Sequence, residues 1–104
     1  MKNIYVALAE VKPLPECEIC PANTEGGFAR CYTLAVNAGA AKRAVRAKLT
    51  AERLELVELP WCVSFEDAEW ENPESEEAAR CAHEARTTGE VVLGRLDFWV
   101  GDDA

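Results

Sequence analysis

Five cysteines and one histidine carry most of the reactive chemistry in this chain. Cys17-Glu18-Ile19-Cys20 is a C-x-x-C, a spacing that lets two thiolates grip one metal ion or act together as a redox pair. A structural zinc site needs four ligands, usually from two such pairs, and no second C-x-x-C is present. Cys31 could supply a third thiolate, and a fourth ligand would have to come from Cys62, Cys81 or His83 across the fold. The metal candidates are therefore Cys17, Cys20 and Cys31, with zinc the ion they would suit. A redox dithiol would want its first cysteine at a helix N-terminus, where the thiol pKa falls. Pro21 follows the second cysteine and no helix begins there, which argues against a thioredoxin-type site. The plainer alternative is a pair of thiols without a role. Cys31, Cys62 and Cys81 lie in apolar stretches, where a free cysteine behaves as a small hydrophobe.

His83 falls off the apolar face of its helical stretch, beside Ala79 and Arg86, and reads as solvent-facing. No serine, cysteine or aspartate is placed by sequence to form a triad with it. There is no Gly-rich phosphate loop, no H-E-x-x-H and no G-x-S-x-G. The sequence therefore reads as a protein without a catalytic constellation.

The elements that must position these residues follow from apolar periodicity. Ile4 to Val11 is a strand with apolar residues on both faces, ended by Lys12-Pro13-Leu14-Pro15. Residues 13–27 read as a long loop closed by a flexible Gly26-Gly27. Phe28 to Val36 alternates as a second strand, antiparallel to the first. Asn37 suits an N-cap, and Ala38 to Arg53 makes an amphipathic helix with Ala41, Val45 and Leu49 on its apolar face. Leu54 to Phe65 reads as a third strand, where Pro60 implies an edge, a bulge or a break. Ser75 suits the N-cap of a second helix with Ala78, Cys81, Ala82 and Ala85 inward and Gly89 as its C-cap. Val91 to Val100 is the last strand. On it, Val92, Gly94, Leu96, Phe98 and Val100 are expected to face one way and Val91, Leu93, Arg95, Asp97 and Trp99 the other.

The order is β-β-α-β-α-β. The expectation is a single α+β domain over residues 1–104, with a four-stranded, largely antiparallel sheet and two helices on one face. The later elements resemble part of a ferredoxin-like arrangement. That resemblance implies a fold and no activity.

The chain holds 104 residues with 19 Asp+Glu against 11 Lys+Arg, a formal charge of -8. Phosphate contacts need Lys and Arg, so the balance argues against a nucleic-acid partner, and equally against an anionic membrane surface. No apolar run reaches the ~20 residues of a membrane span, and Met1 to Val6 reads as strand, not as a signal peptide. The expectation is a cytoplasmic protein with reduced cysteines. The charge is unevenly spread: residues 1–51 are net +3 and residues 52–104 net -11. Seven acids lie between Glu66 and Glu77, and Trp61, Phe65 and Trp70 are interleaved with them or adjoin them. Clustered charge steers an opposite partner, and aromatics inside a charged rim are typical interface anchors. The candidate contact residues are Glu66, Asp67, Glu69, Trp70, Glu71 and Glu74. The basic helix around Lys42, Arg43 and Arg46 is the alternative counterweight to them within the molecule.

A small acidic α+β chain with such aromatics resembles, in physical type, the immunity proteins that neutralise basic bacterial nucleases and other toxins. The resemblance implies a protein-binding module for a basic partner and carries no residue across. Two other readings stand beside it. One is a cysteine-ligated metal protein. The other is a homo-oligomer that pairs a sheet edge or the face bearing Arg95, Asp97 and Trp99.

Overall fold

The computed structural model describes residues 2–65 and 75–100 of the chain. β1 (Asn3–Pro13) and β2 (Thr24–Ala35) form a long antiparallel hairpin. β2 leads into α1 (Ala38–Ala51), which returns the chain to β3 (Leu54–Ser64) on the far side of β1. α2 (Ser75–Thr88) precedes β4 (Val92–Val100), which pairs antiparallel with β2. The sheet order is β3-β1-β2-β4, so the hairpin is central and β3 and β4 are the edges. The α+β class, the element order and the four-stranded antiparallel sheet are those expected from the sequence.

The helices are placed differently from the expectation of two helices on one face. Ala7, Ala9 and Val11 of β1 and Ala29 and Cys31 of β2 share one core cluster with Val45 and Leu49 of α1 and with Leu54. The alternate residues Ile4, Val6 and Tyr32 share a second cluster with Ala78, Cys81, Ala82 and Ala85 of α2. Successive strand residues point to opposite sides of a sheet, so α1 and α2 cover opposite faces. The physical reason is the hairpin itself. It is apolar on both sides, and one layer of helix would leave half of that surface in water. Complete burial of Leu49 and Leu54 contributes about 1.5–3 kcal/mol each.

Local signals explain the element ends. Asn37 caps α1 by accepting a hydrogen bond from the Ala40 N–H at 2.8 Å. Gly89 closes α2 at φ 75°, a left-handed position open to glycine without strain. Pro60 sits at the edge, where the β1–β3 register shifts near Leu8–Val11, as a proline without an N–H requires.

Two further expectations are corrected. Gly26 and Gly27 are not a flexible loop end. They are buried in β2, where an added Cβ would come within 2.7 Å of the Trp99 ring and 2.6 Å of the Phe98 ring, respectively. The simple alternation along β4 also fails. A register shift opposite Arg30 puts Leu93 with Leu96 and Phe98 on the α1 side. Gly94 lies on the α2 side, where a Cβ would meet the Tyr32 ring at 2.7 Å. Among the described residues no helix is long and apolar enough to cross a membrane.

Candidate functional site

Two regions collect side chains with chemical or binding potential. The first is the loop between β1 and β2, where Cys17 and Cys20 are joined in a disulfide with their Cα atoms 5.7 Å apart. The loop is held at both ends. The Leu14 N–H donates to the Arg53 carbonyl at 2.8 Å, tying it to the turn between α1 and β3. The Cys17 N–H donates to the Leu14 carbonyl at 3.2 Å, and Thr24 donates through its hydroxyl to the Pro21 carbonyl at 2.6 Å. Glu16, immediately before Cys17, takes a left-handed φ of 70°. Both cysteines are half-buried against the cluster beneath α1. An open cleft of about 570 Å³ lies beside them, lined by Glu16, Cys17, Glu18, Ala51, Glu52 and Arg53.

The expected association of Cys17 and Cys20 with Cys31 as a metal set is not what the structure brings together. The first two thiols are spent on each other, and Cys31 lies buried in the core with its thiol turned to the Ala29 carbonyl. Among the described residues no three His, Cys, Asp or Glu side chains gather as a metal site. The expectation that all the cysteines are reduced is likewise corrected at this pair.

Cys31, Cys62 and Cys81 remain free thiols. Burial, helped by the neighbouring Cys62, pushes the Cys31 thiol up to about 12. Burial also raises Cys62, with Lys42 opposing it. Burial raises Cys81, reinforced by Glu77 and Glu84 and opposed by Arg80. Thiols held this way are poor nucleophiles, because the thiolate is the reactive form. Tyr32 is raised to about 12 by burial, against the charge and hydrogen bond of Arg30. His83 is exposed on α2.

The second region is on the α2 side of the sheet, beyond the part that α2 covers. Cross-strand pairing sets Glu58, Glu10, Phe28 and Asp97 in one row across all four strands. None of the four belongs to the cluster beneath α2. Phe28 packs on Trp99 with ring centroids 5.5 Å apart, and Trp99 keeps 42% of its surface exposed. Arg95 is paired with Asp97 at 3.1 Å on that edge. The same part of the face holds half-buried Leu8, opposite Trp61.

The chain matches no family model, no curated protein and no solved structure.

The candidate contact residues Glu66, Asp67, Glu69, Trp70, Glu71 and Glu74 lie outside the described residues. Glu76 and Glu77 stand in the first turn of α2, where the helix dipole favours anions. Sequence reasoning missed the row Glu58–Glu10–Phe28–Asp97. Its members are scattered along the chain, and only the pairing register assembles them. The one signal available was Trp99 beside Arg95 and Asp97 on an alternating strand.

Proposed function

We propose that this chain is an acidic protein-binding module that engages a basic protein partner, in the manner of an immunity protein that neutralises a cationic toxin. The observation that supports it most is the cross-strand row of Glu58, Glu10, Phe28 and Asp97, flanked by exposed Trp99. Carboxylates around an aromatic anchor offer a basic surface both steering and a desolvated contact. The acid-rich stretch from Glu66 to Glu77, with Trp70, extends the same character in sequence. α1 carries Lys42, Arg43 and Arg46 on the other face, where they are exposed and in no ion pair with the described residues. Within the described acidic row Asp97 is paired with Arg95, while Glu10 and Glu58 are in no ion pair with the described residues. The proposal places the encounter in the cytoplasm.

The test is capture from the source lysate at low and at high salt, with wild type, Trp99→Ala, Trp70→Ala and the double variant Glu10→Gln/Glu58→Gln as baits. The reading expects a basic protein that is held at low salt, released at high salt, and lost from the variants. A partner that stays bound at high salt, or that binds all baits equally, overturns it.

A further inference from the structure

We propose that the Cys17–Cys20 disulfide is an exchangeable two-electron couple whose attacking partner is a cationic thiol admitted through the acidic cleft beside Cys17. Three observations carry this. Of five cysteines, this pair alone is oxidised, and it sits in a loop at the surface end of the hairpin, not in the core. The loop is pinned by the hydrogen bonds of Leu14, Cys17 and Thr24, so its two sulfurs are held together as a preformed turn. The cleft is lined by Cys17 and not by Cys20, which makes Cys17 the sulfur expected to take the attack.

The cleft also sets which thiol is admitted. Glu16, Glu18 and Glu52 face Arg53 around it, an excess of negative charge. Lys48 draws off part of Glu52, at 3.1 Å, and leaves Glu16 and Glu18 as the acids flanking Cys17. An anionic thiolate carried on an anionic molecule is repelled there, and one carried on a cationic molecule is drawn in. The exchange balances as follows. The incoming thiolate bonds to Cys17 Sγ, the Cys17–Cys20 bond breaks, and Cys20 leaves with the electron pair and takes a proton. A second thiol attacks the sulfur of the first in the mixed disulfide, and Cys17 leaves and is protonated. Two thiols are oxidised to one disulfide, and the protein pair is reduced to two thiols. Neither cysteine sits at a helix N-terminus, so the couple is not built in the manner of a thioredoxin-type oxidant. Disulfides in a reducing compartment are commonly transient and serve in exchange or sensing.

The experiment begins with thiol counting in denaturant on the full chain purified without reductant. Three free thiols are expected, rising to five after reduction. Native protein is then reduced with cysteamine, a cationic thiol, and with mercaptoacetate, an anionic one. Rates are compared per thiolate at low and high salt. Cysteamine should be faster by about fivefold for each unit of effective charge difference at low salt, and the two should converge at high salt. Glu16→Gln/Glu18→Gln should remove most of the preference. In Cys20→Ser the remaining Cys17 should take a mixed disulfide faster than Cys20 does in Cys17→Ser. Five free thiols at the outset, equal rates for the two reagents, or faster capture at Cys20 would each overturn the proposal.

Discussion

Single side chains decide more of this fold than their size suggests. Gly27 is crossed by β4, and a Cβ there would lie 2.7 Å from the Asp97 carbonyl oxygen as well as against Phe98. A backbone atom cannot swing aside as a side chain can. Gly27→Ala should therefore cost about 1–3 kcal/mol in urea unfolding, the range of an overpacked core. Cys31 gives a second prediction, in pH. Its thiol is held neutral to about 12 in the fold, against 9.0 in the free side chain. Above the lower value the unfolded chain releases this proton and the folded chain keeps it, so stability is fully present below pH 9.0 and falls as pH rises through that window. The slope from this one group approaches about 1.4 kcal/mol per pH unit. Unfolding curves taken up to about pH 11 should show the decline, and Cys31→Ala should flatten it. Tyr32 adds to the same decline from its own ordinary value of 10.0 upward. An unchanged slope in Cys31→Ala would show that this thiol is not the source.

At the scale of elements, much was readable because strands and helices obey local periodicity. All six appear in the expected order, with ends within a few residues except at the start of β2. The apolar faces of α1 and α2 are those their spacing implied. The placement of α2 on the opposite face was also implicit in Ile4 to Val11, whose residues are apolar on both sides. What hid it was the assumption of a one-sided sheet. The bulge in β4 and the glycine pair under Phe98 and Trp99 were not readable, since both depend on which strand lies alongside. The row of acids on β3, β1 and β4 was hidden for the same reason, and the Cys17–Cys20 spacing alone left metal and redox roles open. Arg53 offers a test at this scale. It ends the turn after α1 at φ 62°, a conformation that glycine takes freely and arginine does not. Arg53→Gly should stabilise by up to about 1 kcal/mol, while Asn37→Ala at the other end of the helix should destabilise by about 1 kcal/mol. Thermal unfolding of the two variants gives both signs in one experiment, and a destabilised Arg53→Gly would mean that its side chain supports the turn in a way its backbone does not require.

Over the whole molecule the charge of -8 is not spread evenly around the fold. The sheet separates an exposed basic stripe on α1 from a face on which Glu10 is paired with Glu58 across β1 and β3. Like charges set directly opposite on neighbouring strands destabilise a sheet, by roughly 0.2–1 kcal/mol for a pair. Neither residue is in an ion pair among the described residues, so that cost stands unrelieved in the free protein. A basic partner would relieve it, because its cations would supply the missing opposite charge. Stability and binding should therefore move in opposite directions at this position. Glu58→Gln is expected to raise stability in low salt by about 0.5 kcal/mol, and the gain should shrink as salt screens the repulsion. The same change should speed dissociation of the basic partner and lower its salt-sensitive on-rate. Urea unfolding at two ionic strengths measures the first effect without any partner in hand. If Glu58→Gln instead destabilises the protein, the Glu10–Glu58 pair is a structural contact, and the acidic row loses its standing as a surface held ready for binding.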